Sequence, residues 1–288
     1  MNVIETKQLT YTYGAGTPFC KTAVCDVSIA IKQGEFIGLI GHTGSGKSTL
    51  IQQLNGLLQP TSGTVLLNGK DIWENKKEIR KVRFQVGMVF QYPEYQLFED
   101  TVKKDIAFGP TNMGLSPEEI DQRVMQAAEF VELRPELLEK SPFDLSGGEK
   151  RRAAIAGVVA MDPDVLILDE PTAGLDPQGR DHLLRQIRAY HKKRGNTVVL
   201  VSHSMEDIAK VADRVLVMNE GHVFLFDKTE QVFSHADQLA NIGLRVPQIT
   251  RIMTRLHQKG YPVNPATFTL EQAVTELLPF VQRGAHHD

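Results

Sequence analysis

The feature that most constrains the fold is a glycine-rich stretch that begins at Gly41 and ends in Gly-Lys-Ser at Ser48. Residues 35–40 predict an apolar strand before it, and residues 47–58 carry apolar side chains at helical spacing up to Pro60. A glycine, four residues and Gly-Lys-Ser between a strand and a helix is the pattern of a phosphate-binding loop, whose N–H groups and helix N-terminus face an anion. We therefore predict that a nucleotide is bound by Gly41, His42, Thr43, Gly44, Ser45, Gly46, Lys47, Ser48 and Thr49.

A second apolar strand, residues 165–168, ends in Asp169 and Glu170. The carboxyl ends of the strands border the ligand crevice in an open parallel sheet, so both acids are expected there. We predict that Asp169 holds Mg²⁺ through water, with Ser48 supplying a hydroxyl to the same ion. Glu170 is then placed to polarise the attacking water as general base.

The other elements predict an α/β fold with two insertions. Strands at residues 24–31 and 64–67, with a hairpin turn at Asn68-Gly69, predict an antiparallel β subdomain. Helical patterns replace strands at about residues 92–145, where Ser116 opens a capping box, and we predict a helical subdomain there. Strands and helices alternate again up to a closing hairpin at residues 214–226. We divide the chain into a domain at 1–228 and a C-terminal helical extension at 229–288.

Composition excludes several classes of protein. The 288 residues carry 32 Lys and Arg against 35 Asp and Glu, a net charge of −3, which argues against disorder and against a basic nucleic-acid binder. Cys20 and Cys25 are the two cysteines, too few for a four-ligand zinc site, and a reducing compartment is expected. No apolar run approaches the roughly 18 residues of a membrane span, and the N-terminal residues lack the pattern of a signal peptide.

Residues 145–149, Leu-Ser-Gly-Gly-Glu, lie between the phosphate loop and Asp169. With the two motifs on either side, this segment resembles the signature of ATP-binding-cassette (ABC) ATPases, a class of P-loop NTPase. The resemblance implies that Ser146, Gly147 and Gly148 meet the γ-phosphate of an ATP held by the opposite subunit. Free N–H groups at the start of a helix suit that anion. The family often has Gln where Glu149 stands, a difference of small expected effect.

The same resemblance assigns roles to further residues. Gln91 matches the glutamine that senses Mg²⁺ and water, Asp176 lies in the D-loop, and His203 matches the switch histidine that contacts the γ-phosphate. Gln91, His203 and Glu170 form the implied catalytic set, with ATP and Mg²⁺ as cofactors. Tyr13 is our choice for the aromatic ring that stacks on adenine, with Tyr11 and Phe19 as alternatives. Two cassettes are expected to close head to tail around two ATP molecules.

Residues 89–98 and 101–110, with the helical tail, resemble the ATPase subunits of energy-coupling factor (ECF) importers of vitamins and metals. His42-Thr43 in the phosphate loop and an insert at residues 14–19 make the chain most similar to the second of the two paralogous ECF ATPases. The resemblance implies a heterodimer with a sister ECF ATPase on the cytoplasmic face of the cell membrane. It also implies a transmembrane scaffold subunit and a substrate-binding membrane subunit as partners, and no nucleic acid.

Two groups of alternatives stay open. An ATPase of another ABC importer class would share all of these motifs, and a homodimer would replace the heterodimer if one ATPase serves both sites. Non-transport ABC ATPases act on nucleic acid or ribosomes, but they carry long coiled-coil insertions or two cassettes in one chain, and this sequence has neither pattern. In ECF ATPases the region of Tyr95, Leu97 and Phe98 lines the groove for the scaffold's coupling helices, and core packing is the alternative for these side chains.

Overall fold

The structure is a computed structural model that describes residues 1–284, with eleven strands and eleven α-helices over that range. The strands are β1 (Asn2–Tyr13), β2 (Lys21–Val27), β3 (Ala30–Lys32), β4 (Phe36–Gly41), β5 (Ser62–Leu67), β6 (Lys70–Asp71), β7 (Val86–Val89), β8 (Val165–Asp169), β9 (Thr197–Val201), β10 (Arg214–Asn219) and β11 (His222–Lys228). The helices are α1 (Lys47–Leu54), α2 (Ile79–Gln85), α3 (Val102–Asn112), α4 (Pro117–Phe130), α5 (Gly147–Val159), α6 (Pro177–Arg194), α7 (Met205–Val211), α8 (Thr229–Ser234), α9 (Ala236–Asn241), α10 (Gln248–Gln258) and α11 (Leu270–Gly284).

A six-stranded sheet in the order β11-β10-β4-β9-β8-β7 forms the centre of the fold. All neighbours are parallel except β10 and β11, which form the predicted closing hairpin. Strands β4, β8 and β9 are buried along their whole length, as apolar strands covered on both faces must be. The parallel register brings the carboxyl ends of β4, β7, β8 and β9 to one edge of the sheet. This arrangement confirms the predicted α/β fold.

An antiparallel sheet in the order β2-β1-β5-β6, with β3 paired to β1, lies beside the loop between β4 and α1. Asn68 and Gly69 both have positive φ in the turn from β5 to β6, as a tight hairpin turn requires. The predicted single strand at 24–31 is wrong, because the strand breaks between β2 and β3, although both strands pair with β1. The hydroxyl of Thr6 accepts from the Ile29 N–H and donates to the Val27 carbonyl there, which takes the place of the strand's own ladder.

The helix after the phosphate loop is shorter than the predicted span of 47–58. It ends at Leu54 because Gly56, with φ +71°, takes the left-handed conformation that closes many helices. The Leu57 N–H then turns back to the Gln52 carbonyl at 2.8 Å. Apolar spacing continued past this glycine in the sequence, which is why the prediction ran too far.

Helices α3, α4 and α5 pack together at one end of the central sheet. Ser116 and Glu119 form both bonds of the predicted capping box at the start of α4. The apolar side chains of Val124 and Ala127 on α4 share a core with Ala153 on α5. The signature helix α5 therefore packs as part of this helical layer, although the limits of 92–145 and the division at residue 228 remain predictions.

The C-terminal extension contains α8 to α11. Its first part packs on the main core through buried Phe233 and Leu244, while α10 and α11 share a small core around Met253. Thr269 and Gln272 form a capping box before α11. Among residues 1–284, no helix is both long and apolar enough to cross a bilayer. Residues 285–288, the end of the predicted extension, lie outside the described residues.

Candidate active site

The phosphate loop joins β4 to α1 and has no room for larger side chains at two of its glycines. A Cβ on Gly41 would meet the Met218 carbonyl oxygen, and one on Gly46 would meet the carbonyl oxygen of Ala23 in β2. Gly44 and Gly46 also have φ of +81° and +100°, in the left-handed region that favours glycine. The loop is therefore held close to the antiparallel sheet, and within it the Ser45 N–H donates to the His42 carbonyl at 3.1 Å.

Lys47 lies at the base of the loop and is only 5% exposed. Its Nζ donates to the Gly41 and His42 carbonyls, both at 2.8 Å. Burial lowers the pKa of Lys47, while the charges of Glu170 and Asp169 act in the opposite direction. These bonds hold the ammonium where a phosphate on the loop would meet a positive charge.

Asp169 ends β8 as a buried carboxyl group next to the loop. Burial, and then the charge of Glu170, raises the pKa of Asp169 to about 6, although Lys47, His203 and the Ser48 hydroxyl favour its charged form. Because these three groups offset the effect of burial only in part, the carboxylate is suited to receive a cation. This placement agrees with its predicted position at the strand end.

Glu170 lies where three strand ends meet. Its backbone has φ +49° and its N–H donates to the Val201 carbonyl at 3.0 Å, which turns the side chain out of β8. Gln91 Nε2, after β7, donates to Glu170 Oε2 at 3.1 Å. His203 Nε2, after β9, lies 2.8 Å from Glu170 Oε1. The three residues predicted as the catalytic set are thus in direct contact.

A cavity of about 390 Å³ opens in front of these groups. Its lining includes Tyr13, Thr43, Gly44, Gly46, Lys47, Ser48, Thr49, Gln91, Glu170 and His203. Two further lining residues, Lys21 and Ala23, were not predicted. They come to the site through the pairing of β1 with β2, in which Tyr13 faces Lys21. No sequence signal reports such a register directly.

Tyr13 is half-exposed at this cavity, and its hydroxyl lies 3.1 Å from Thr49 Oγ1. Tyr11 packs edge to face on Tyr13, with ring centroids 4.8 Å apart, and joins the core. Phe19 is exposed in the insert between β1 and β2 and does not line the cavity. Adenine stacking on Tyr13 stays a prediction, and the structure provides the ring at the correct cavity.

Oxygen donors suited to Mg²⁺ lie together at the inner side of the cavity. Ser48 lies within hydrogen-bond reach of Asp169, and Gln91 turns its amide nitrogen to Glu170, leaving the amide oxygen for another partner. Hydroxyl, carboxylate and amide oxygens fit a hard cation. Within residues 1–284, no group of three or more His, Cys, Asp or Glu side chains forms a metal cluster.

The predicted signature lies away from this cavity. Ser146 caps α5 by accepting from the Glu149 N–H, and the Glu149 carboxylate accepts from the Ser146 N–H at 2.9 Å. Ser146, Gly147 and Gly148 are all exposed, and Asp176, which caps α6, is exposed as well. None of these four residues lines the cavity of the same chain.

Sequence reasoning missed Arg151, which is only 7% exposed on α5. Its Nε and Nη2 donate to Glu94 at 3.0 and 2.7 Å, and its Nη1 donates to the Ala173 carbonyl at 2.6 Å. Burial alone would raise the pKa of Glu94, but the bonds from Arg151 more than offset it and the pKa is lowered. This guanidinium ties the signature helix to the segments after Gln91 and Glu170.

The parallel sheet, the phosphate loop and the strand-end acids define a P-loop ATPase of the cassette type. Residues 24–173 match the family model described as ABC transporter. The chain is 56% identical over 283 residues to the energy-coupling factor transporter ATP-binding protein EcfA2 of Clostridium tetani, covering 98% of each chain. It is 54% identical to the protein of the same name from Clostridium perfringens, covering 98% of this chain and 99% of that one.

Solved structures agree with this fold. The structure of cbiO1 from Clostridium perfringens, part of the ABC transporter complex cbiONQ, has a TM-score of 0.74 and 39% identity and covers 88% of this chain and 98% of its own. A dimeric ATP-binding cassette bound to ADP and Pi has a TM-score of 0.70 and 28% identity, covering 78% of this chain and 98% of its own. The chain therefore belongs to the ABC transporter family and, within it, to the energy-coupling factor transporter ATP-binding proteins. The predicted ATPase class and the likeness to the second ECF ATPase are confirmed.

Proposed function

We propose that this protein is the ATP-hydrolysing subunit of an ECF importer and drives the uptake of vitamins or other micronutrients through separate membrane subunits. The contact of Gln91, Glu170 and His203 beside Lys47 carries this proposal, because it joins a general base and its two neighbours to a phosphate cradle. The relatives named as ECF transporter ATP-binding proteins support the transport assignment.

In this proposal the site residues divide the work of hydrolysis. The loop N–H groups and Lys47 bind the phosphates, and the carboxylate of Glu170 accepts the proton of the attacking water. Gln91 and His203 hold that carboxylate from two sides and reach toward the γ-phosphate. Magnesium would be held by Ser48, Asp169 and Gln91, and its charge would offset that of the phosphates.

A complete site needs a second chain, because the exposed signature cannot reach the cavity of its own chain. Ser146, Gly147 and Gly148 would face the γ-phosphate of the partner's ATP, with Asp176 beside them at the interface. We propose the sister ECF ATPase as that partner, and a homodimer is the alternative. A structural neighbour of this chain is a dimeric cassette bound to ADP and Pi, which supports two-cassette assembly as the working form.

The surface for the membrane subunits lies next to α3. Tyr95 and Phe98 are 84% and 58% exposed, and Phe98 packs edge to face on Phe108 at 5.0 Å. Leu97 is buried in the core, so Tyr95 and Phe98 are the two of the three predicted side chains that are exposed for a partner. A cavity of about 400 Å³ beside Phe98 would receive a helix of the transmembrane scaffold subunit. The protein would thus lie on the cytoplasmic face of the cell membrane, together with a substrate-binding membrane subunit.

Purification from native membranes in mild detergent tests this assignment. We expect the tagged protein to bring down a sister ATPase, one scaffold membrane protein and small membrane binding proteins. Phe98→Ser should lose the membrane proteins but keep the sister ATPase, whereas Tyr261→Ser, an exposed aromatic in the extension, should lose neither. Recovery of ribosomal or DNA-processing proteins alone would contradict the transport role, and full ATPase activity of the chain by itself would contradict the heterodimer.

A further inference from the structure

The ring of His42 in the phosphate loop contacts the C-terminal extension. Its Nε2 meets the carbonyl oxygen of Ile242. Gly243, with φ +71°, lies directly behind the ring, and a Cβ at this position would come within 3.0 Å of His42 Cε1. The ring therefore has little space to move toward the extension. We refer to residues 242–248 as the linker segment.

The linker segment also contacts the region after the switch histidine. The N–H of Gln248, at the start of α10, donates to Glu206 Oε1 at 3.2 Å. Glu206 lies in the first turn of α7, shortly after His203. Leu244 and Val246 anchor the segment between these two contacts, because both are buried in the main core. The linker segment thus contacts both the phosphate loop, at His42, and the first turn of α7, at Glu206.

His42 faces two ways. Its carbonyl accepts from Lys47 Nζ at 2.8 Å on the phosphate side, while its ring contacts the linker segment on the other. Elsewhere, a cavity of about 450 Å³ separates the phosphate loop from the linker segment, with Gly41 and Thr43 on one wall and Arg245 on the other. Contact between the loop and the segment is therefore concentrated at His42 and does not extend along the whole loop.

We propose that the linker segment is a positioning element for the phosphate loop, which acts through the ring of His42 and couples the C-terminal extension to nucleotide binding. The proposal rests on the proposed function, since it requires ATP on the loop. A shift of the segment moves His42, and with it the carbonyl that holds Lys47. Linkage requires the reverse effect, so ATP on the loop must change the stability of the segment by the same free energy.

Two glycine substitutions in the extension test this coupling. Gly243→Ala and Gly260→Ala both force alanine into positive φ, at +71° and +90°, but a Cβ on Gly260 meets nothing within 4 Å. Both variants lose comparable backbone freedom, and only Gly243→Ala presses on His42. We expect Gly243→Ala to change the ATP dissociation constant of the full chain about fivefold or more relative to Gly260→Ala. Equal constants for the two variants would overturn the proposal.

A double-mutant cycle separates positioning from general destabilisation. In a His42→Ala background the ring is absent, so Gly243→Ala and Gly260→Ala should bind ATP equally well. A difference that persists without the ring would overturn the role of His42. Hydrogen exchange of the unmodified chain covers the case in which Gly243→Ala fails to fold. ATP should change the exchange of residues 242–256, and an unchanged pattern would also overturn the proposal.

Lys47→Ala distinguishes a failure of the positioning role of the linker segment from a failure of the proposed function. If the unmodified chain does not bind ATP, or if Lys47→Ala leaves the affinity unchanged, the phosphate-loop assignment itself is wrong. If the chain binds ATP and Lys47→Ala weakens it, while Gly243→Ala matches Gly260→Ala, only the positioning role of the linker segment is lost.

Discussion

Two regions of the molecule each contain a glycine-rich turn that begins a helix. The phosphate-loop edge comprises the phosphate loop and the neighbouring strand ends, and the signature loop comprises residues 145–149. The first region is largely buried, whereas the second is largely exposed. Lys47 is buried and bonded to its own loop, and Asp169 is buried beside it. Gly147 and Gly148 are exposed, and a Cβ on Gly147 would meet nothing within 4 Å. The first region is assembled within the chain, while the second has no counterpart within the residues described. This contrast is what the proposed division of one active site between two chains requires.

The pKa values of one carboxyl group in each region, Asp169 and Glu149, also differ in opposite directions from their usual values. Burial raises the pKa of Asp169 to about 6, because the charged form loses water. The pKa of Glu149 falls to about 2, because its carboxylate accepts from the hydroxyl and the N–H of Ser146, with Arg134 nearby. The raised pKa of Asp169 fits the Mg²⁺ role proposed for it, whereas Glu149 stabilises the start of α5.

The largest effect expected at the phosphate-loop edge follows Glu170→Gln. The amide keeps the shape of the side chain beside Gln91 and His203 but cannot accept the proton of the attacking water. We expect turnover by the assembled transporter to fall by about 10²- to 10⁴-fold, while ATP binding is retained. Turnover and ATP affinity measured on the same preparation check this.

Glu132→Gln provides the matched control. Glu132 also has positive φ, at +53°, and lies 3.0 Å from a histidine, His182, but it is outside the cavity. It should leave turnover unchanged. Near-normal turnover of Glu170→Gln would show that Glu170 is not the general base. The phosphate-loop edge would then have a role in nucleotide binding alone.

At the signature loop we expect an effect that a single chain does not reveal. Gly147→Ala fits the free chain without a clash, so its stability and ATP affinity should stay close to normal. In the assembled dimer the added methyl group would lie between the N–H groups and the partner's γ-phosphate. We expect turnover to fall by about 100-fold, the loss typical of one displaced anion donor.

Gly157→Ala in the same helix is the control for that variant. A Cβ on Gly157 makes only an ordinary contact, 3.6 Å from the Asp105 carbonyl oxygen. Both variants gain helix propensity, worth up to about 1 kcal/mol, but only Gly147 lies in the signature. If both retain full turnover, the two regions do not form one divided site.

The smallest effect concerns stability at the phosphate-loop edge. The pKa of Asp169 is above its unfolded value, so the folded state binds more protons between pH 3.8 and about 6 and loses stability as pH rises through this window. Without Mg²⁺, we expect unfolding free energy of the native chain, relative to Asp169→Asn, to fall by about 2 kcal/mol from pH 4.5 to 7.5. Chemical denaturation in the presence of a chelator measures this free energy at each pH. Parallel pH dependences of the native chain and Asp169→Asn would contradict the raised pKa of Asp169.

Local patterns predicted much of this molecule. The phosphate loop, the strand-end acids and the capping box at Ser116 each depend on residues within a few positions of one another, so short-range rules apply. Gly56, which follows the end of α1 at Leu54, was also a local signal, but the apolar spacing beyond it favoured a longer helix. The break between β2 and β3 depends on Thr6, about twenty residues away, and no local rule reports such a partner.

Contacts between distant segments account for what the sequence could not predict at the site. Arg151 and Glu94 belong to different elements, and a basic residue in a charged helix start usually faces water. Lys21 reaches the cavity only because β2 pairs with β1 in one register. The contact of His42 with Ile242 joins residues from opposite ends of the chain. Each of these requires the packed fold before the neighbours are known.

Arg151 has a consequence for how this protein can change over evolutionary time. Its guanidinium bonds Glu94 on one side and the Ala173 carbonyl on the other, so it serves the segments after Gln91 and Glu170 together. A lysine offers one ammonium on a flexible stem and does not reproduce that fixed fork. A substitution that shifts either segment, or α5 itself, must be accommodated by the other two in the same lineage. We therefore expect substitutions in α5 and in the segments after Gln91 and Glu170 to occur together among relatives.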